Sequence, residues 1–287
     1  MKNNNLTGAK LRMLSSVTLF GTIGLFVRSI PLPSSATALV RGAVGALILL
    51  VFALLSGRKL SAEAMRKNAA LLCVSGAMIG VNWILLFEAY RYTTVASATI
   101  CYYLAPVLVI LAAPFTLGEK LTGKKLLCVL LALAGTALLS GGAQGGSVRG
   151  ILCGVGAAAF YASVVTLNKK LKGISAYERT VVQLAAAAVT LAPYVLLTED
   201  IGAFRLTTGQ LALLAVVAVV HTGIAYAVYF GAMSELPTQT VALYSYVDPT
   251  VAVLLSALVL REPFGLREAV GALCVLLPTF WSELSGE

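Results

Sequence analysis

The chain has 287 residues, of which 59% are hydrophobic and only 11% charged, with a mean hydropathy of +0.91. A soluble domain carries about 25% charged residues, so this sequence cannot cover its apolar content with polar surface and belongs in a lipid bilayer. The formal net charge of +9 would suit a nucleic-acid partner, but the basic residues lie in short loops between apolar runs, which excludes that reading.

Ten runs are long enough to cross about 30 Å of hydrocarbon: 11–30, 33–56, 68–90, 94–117, 123–141, 148–170, 175–198, 210–233, 237–260 and 264–283. They lack the polar/apolar alternation of barrel strands, so each is expected to be a helix. The first run follows Lys10 and Arg12 but has no small-residue cleavage site, and is read as mature structure. The second carries Arg41 in its outer half. The third presents Ile79, Trp83, Leu86 and Tyr90 at spacings of four, three and four, and the eighth presents Thr222, Tyr226, Tyr229 and Met233 on a matching stripe. Gly76 and Gly80 in the third run, and Gly150 and Gly154 in the sixth, are spaced for close helix packing. All five cysteines fall inside runs without metal-ligand spacing and are expected to be small core residues.

The fourth and ninth runs expose the organisation. Tyr103-Leu104-Ala105-Pro106 and Tyr246-Val247-Asp248-Pro249 are 143 residues apart, and a glutamate follows each proline by 13 residues, Glu119 and Glu262. The same offset lays Trp83 over Tyr226 and Gly80 over Gly223. The chain is therefore read as two repeats, 1–143 and 144–287, joined by the flexible stretch Gly141–Ser147. An odd number of spans per repeat turns the second upside down, giving two inverted five-helix repeats and a scaffold suited to alternating access. Fourteen Lys and Arg lie in the tail and loops on the side of the N terminus (Lys2, Lys10, Arg12, Arg58, Lys59, Arg66, Lys67, Lys120, Lys124, Lys125, Lys169, Lys170, Lys172, Arg179). Six lie on the other side (Arg28, Arg91, Arg149, Arg205, Arg261, Arg267), so both termini are expected in the cytoplasm.

Ten spans, the duplication, and proline-centred fourth and ninth spans ending in glutamate resemble the EamA family of the drug/metabolite transporter superfamily. The resemblance covers essentially the whole chain. It implies a cavity formed mainly by spans one, three, four, six, eight and nine, and transport of a small organic metabolite, often an amino acid or amine and frequently outward, across the cytoplasmic membrane. Uptake of an organic cation, or a small-solute channel, is the alternative. Substrate and oligomeric state are not fixed by it.

Candidate substrate or coupling residues are those that are costly at mid-depth. Trp83 and Tyr226 carry polar handles that a wet cavity would satisfy, with Tyr229 on the same stripe; helix–helix packing with one internal hydrogen bond each is the alternative. Asn82 either ties helices together or meets substrate. Asp248, one turn after Tyr244, costs about 2.5–3.5 kcal/mol at the bilayer centre. Three uses are open to it: proton coupling, a counter-ion for a cationic substrate group, or a structural partner for Arg41 or His221. His221, the only histidine, is a proton shuttle or a helix tie. Arg41 pairs with an acid, binds a substrate carboxylate or reaches for headgroups. Glu119 and Glu262 are expected to pair with basic residues just after them, and Glu88 with Arg91 as a gate or a solvated helix end. No Walker loop, zinc pattern or Rossmann glycine run is present, so no cofactor and no ATP-driven or enzymatic activity is expected.

Overall fold

The computed structural model describes residues 2–57, 60–116, 123–140, 147–233, 235–236, 244 and 247–285. Among them the regular elements are all helical. They are α1 (Lys2–Arg28), α2 (Ser34–Leu55), the short α3 (Ala62–Lys67), α4 (Ala69–Tyr92), α5 (Val95–Tyr102), α6 (Ala105–Thr116) and α7 (Gly123–Ser140). There follow α8 (Val148–Asn168), α9 (Ala176–Thr198), α10 (Thr208–Ala215), a π-helical stretch (Val216–Ile224), α11 (Ala225–Met233), α12 (Val247–Leu258) and α13 (Leu266–Ser285). Seven helical segments are long and apolar enough to cross a membrane. They correspond to the first four, sixth, seventh and eighth expected spans. The expected ninth is represented by the 12 residues of α12, because 237–243 and 245–246 lie outside the described residues. The fifth and tenth are represented by α7 and by α13, whose Arg267, Glu268 and Glu283 dilute its apolar character. Glu119 and the linker residues 141–146 also lie outside the described residues.

Among the described residues, two spans depart from plain helix. The fourth breaks at Tyr103–Leu104 because Pro106 has no N–H to give Tyr102 and its ring crowds that carbonyl. The eighth is continuous from Thr208 to Met233 but passes through nine residues of π-helix. Helix starts are chemically marked. Ser175 and Thr207 each accept from the backbone N–H three residues on, and Glu178 and Gln210 bond back to the cap, forming capping boxes.

Packing follows the repeat register. The first span packs on the eighth and the third on the sixth; the second packs on the eighth and the third on the seventh. Each of these pairs becomes the other when the repeats are exchanged. Three of the five self-equivalent pairs also meet, and they cross antiparallel. In α2·α9, Ser35 bonds Glu199 and Tyr177 bonds the Leu49 carbonyl. In spans four and nine, the Val95 N–H meets Glu262 while Tyr103 meets Asp248. In α7·α13, Arg267 reaches the Leu138 carbonyl while Gly135 abuts Cys274.

Close approach needs missing side chains. A Cβ on Gly76 would lie 2.6 Å from both the Gln183 carbonyl oxygen and the Ala186 methyl, so α4 and α9 touch through backbone. Gln183 reinforces the contact by donating to Ser75 at 2.6 Å. A Gly76→Val substitution is expected to destabilise the protein by about 1–3 kcal/mol. That is read as a lower unfolding temperature in detergent, whereas Gly8→Val, with open space at the Cβ, leaves it unchanged.

Candidate functional site

A cavity of about 780 Å³ lies between the repeats. Its floor is set by Tyr90 and Thr99, and it extends past mid-depth to Asn168 and Lys169 at the end of α8 and Arg179 at the start of α9. Those last residues are on the face that carries the α8–α9 turn and the α2–α4 connection, called here the terminal face. The opposite, far face holds the α1–α2 and α4–α5 turns.

Six of the eight residues singled out from sequence sit on the cavity wall: Arg41, Asn82, Trp83, Tyr226, Tyr229 and Asp248. Ile79, Leu86 and Tyr90 complete the stripe from α4, and Met233 the one from α11. Thr222 stands just behind, because it is spent on Arg41.

Arg41 is 5% exposed and held from three sides. Its Nε donates to Thr222 Oγ1 at 2.9 Å, one Nη lies 3.4 Å from the Tyr226 hydroxyl, and the guanidinium stacks over Trp83 at 4.2 Å. Thr222 in turn donates to the Val217 carbonyl five residues back, a contact made inside the π-helical turn. The π stretch therefore aims a hydroxyl at the guanidinium. π-segments recur at functional positions for this kind of reason. Among the described residues no carboxylate lies within ion-pair distance of Arg41. A desolvated cation without an anion is costly, and the ring face and hydroxyls offset only part of that.

Asp248 is half-buried on another wall, and Tyr103, placed by the break in span four, donates its hydroxyl to Oδ2 at 3.1 Å. Of the three uses open to Asp248, a structural pair with Arg41 or His221 is not formed at ion-pair distance, although Arg41 is near enough to act on it electrostatically. The backbone around Asp248 is pinned to α1, where Gly21 leaves no room for a Cβ beside the Asp248 carbonyl. Asn82 both faces the cavity and ties α4 to α8 by donating to the Ala157 carbonyl at 2.6 Å.

His221 and Tyr244 are not brought to the wall. His221 is 1% exposed, bonds Thr22 Oγ1 at 2.7 Å and the Val216 carbonyl at 3.2 Å, and packs on Phe26. Its neighbour Thr222 points inward, so the histidine, about 100° round the helix, turns to α1. Tyr244 packs instead against the cluster formed by Ala9, Met13 and Val17.

At the far face, a cluster around Glu262 joins α1, α5 and α12. Its side chain pairs with Arg28 of α1, accepts from the Val95 N–H at 2.9 Å, and accepts the Ser256 hydroxyl. The expected partner, Arg267, is instead committed to the Leu138 carbonyl. Arg261 adopts a left-handed φ of 52°, turning the chain so that Glu262 points back over the helix ends. Beside it, Ser34 donates to Glu88 at 2.6 Å and Arg91 caps the Leu32 carbonyl, so Glu88 and Arg91 fasten the α1–α2 turn to α4. Lys169, Arg179 and Thr180 were not singled out from sequence as lining residues. They looked like loop charges or a helix start, and the packing of α8 on α4 and of α9 on α2 and α4 turns them inward.

The EamA-like transporter family pattern matches this chain twice, over residues 8–141 and 148–282. An uncharacterized transporter, YxxF, of Bacillus subtilis is 31% identical over 253 residues, covering 86% of this chain and 80% of that protein. An uncharacterized transporter of Archaeoglobus fulgidus is 26% identical, covering 91% of each chain. A solved crystal structure superposes with a TM-score of 0.67 at 20% identity, over 97% of this chain and 98% of that one, which shows a shared fold. With long apolar helices throughout and the family pattern across both halves, the chain is a multi-pass membrane protein belonging to the EamA-like transporter family.

Proposed function

We propose that the protein is a secondary carrier that moves a small zwitterionic metabolite, an amino acid or a near relative, across the cytoplasmic membrane by alternating access, in the export direction. The observation that carries this reading is a single cavity with a guanidinium lacking a carboxylate partner on one wall, Arg41, and a carboxylate, Asp248, on another. A zwitterion supplies a carboxylate to the first and an ammonium to the second, which offsets the cost of burying both. The remaining wall, with Tyr102, Tyr161, Phe20 and Phe230, offers aromatic surface to an apolar side chain. An organic cation leaves Arg41 unmatched, so uptake of such a compound is the weaker alternative.

Two inverted repeats, with ten spans and both termini in the cytoplasm, are part of this proposal. The antiparallel self-equivalent pairs and the excess of basic residues on the terminal face support it. The terminal face is then cytoplasmic, and the conformation described is open inward and closed outward at Glu262.

Purified protein in liposomes with an imposed pH gradient, tested against a panel of labelled amino acids and amines, checks the reading. Saturable flux with accelerated exchange is expected for at least one zwitterion. Flux that grows linearly with concentration, or that requires no ammonium or carboxylate group, would sink it. Arg41→Gln is expected to raise the apparent KM ten- to hundredfold, since a hydrogen bond to a charged group contributes about 1.5–3 kcal/mol. Asp248→Asn keeps shape but cannot ionise; it is expected to abolish pH-driven accumulation while retaining exchange, as measured by counterflow at equal membrane abundance.

The outward closure is tested without substrate. In a cysteine-free background, Leu86→Cys is shielded from the far face, and adding Glu262→Gln is expected to speed its labelling by an impermeant maleimide several-fold. An unchanged rate would remove Glu262 as the closing residue.

A further inference from the structure

The wall of the cavity is electrostatically lopsided. Among its described residues Arg41, Lys169 and Arg179 are cationic, and Asp248 is the one acid. Two of the cations stand at the terminal-face mouth, apart from Arg41, which lies deeper on α2. Arg179 is half-buried in the first turn of α9. That is an unfavourable place for a cation, because the helix dipole already makes the N-terminal turn positive.

Its adjacent acid, Glu178, forms no ion pair with it, although the charge of Glu178 offsets part of the helix-end potential. Glu178 is spent elsewhere, with Oε1 accepting from the Ser61 N–H at 2.6 Å and Oε2 from the Ser175 N–H at 2.9 Å and hydroxyl at 2.7 Å. No carboxylate among the described residues is within ion-pair distance of Arg179. What Arg179 meets across the cavity is the phenolic groups of Tyr161 and Tyr229, near enough to interact with it electrostatically. Lys169, exposed at the end of α8, lines the same mouth. Two cations and low-dielectric walls act in the same direction at this mouth, and such clefts concentrate ions of opposite sign.

We infer that Arg179, with Lys169, forms an entry site that captures the carboxylate of a substrate at the terminal-face mouth before it passes inward to Arg41. The inference rests on the carrier reading for its purpose but not for its physics. The mouth attracts anions whether or not any particular compound is transported. Capture at Arg179 raises the local concentration of carboxylate-bearing compounds and disfavours free amines, so charge selection begins before the central site is reached.

The test uses the full-length protein in neutral phosphatidylcholine vesicles, so that anionic headgroups do not set the result. The five native cysteines are replaced and Val165→Cys, on the cavity wall one turn before Lys169, supplies a single reporter. Rates of modification by an anionic and a cationic methanethiosulfonate are measured from the terminal face, each normalised to its rate with a free thiol. The anionic reagent is expected to be favoured about tenfold, the lower end of electrostatic focusing in a charged cleft. Arg179→Gln is expected to bring the ratio to within about threefold of unity, and Arg179→Lys to restore it, which separates charge from folding. A ratio near one in the parent, a preference for the cation, or no change with Arg179→Gln would each overturn the inference. Because no transport step is involved, a protein that moves none of the tested metabolites yet keeps the ratio would fail the carrier reading alone.

Discussion

Three pairs of helices that occupy the same place in the two family matches cross antiparallel, α2 with α9, span four with span nine, and α7 with α13, and that constraint organises this molecule. It places the start of span four beside the end of span nine, so the Val95 N–H and Glu262 meet at the far face. It also places the proline break of one span opposite the proline of the other, so that Tyr103 at the break reaches Asp248. Neither contact depends on unusual residues. Both depend on two similar segments lying in opposite directions, which fixes where a gap in the helix falls relative to a carboxylate. Broken helix at membrane depth is tolerated only where protein or water satisfies the freed groups, and here it borders the cavity.

The cavity's polar groups divide into those that hold the fold and those left facing space. Asn82 and Gln183 donate to neighbouring helices and also border the cavity, so their donors are largely committed. His221 is fully occupied by Thr22 and Val216. Arg41 differs, because a hydroxyl and a ring face hold its position while no carboxylate among the described residues reaches ion-pair distance. In the proposed carrier, that would set the geometry of the guanidinium before a ligand arrives.

Much of the fold was legible in the sequence because apolar length and the 143-residue offset are direct records of bilayer thickness and duplication. The aromatic stripes of spans three and eight were legible for the same kind of reason, since helical period maps sequence spacing onto one face. What could not be read was rotation between helices. Nothing in the residues around His221 says that a π-helical turn sends Thr222 to Arg41 and the histidine to α1. Arg28 as the partner of Glu262 was equally hidden, because 234 residues separate them and a nearer cation, Arg267, satisfied the local reading. Arg179 looked like a loop charge at a helix start, and its exposure to the cavity follows from how α9 packs on α2 and α4.

The π-helical stretch has a consequence for how tolerant this region is to length change. A π turn accommodates a residue beyond what the α-helix requires, and each residue of an α-helix is worth about 100° of rotation. The surplus is absorbed inside Val216–Ile224, so the turns on either side keep nearly the phase of a continuous α-helix. Shortening the stretch by one residue would regularise the backbone and remove the five-residue contact from Thr222 to the Val217 carbonyl that turns its hydroxyl toward Arg41. A deletion invisible to hydropathy would thus loosen the guanidinium while leaving Tyr226 and Tyr229 near the cavity, whereas the same deletion in a plain α-helical turn would rotate everything beyond it by about 100°.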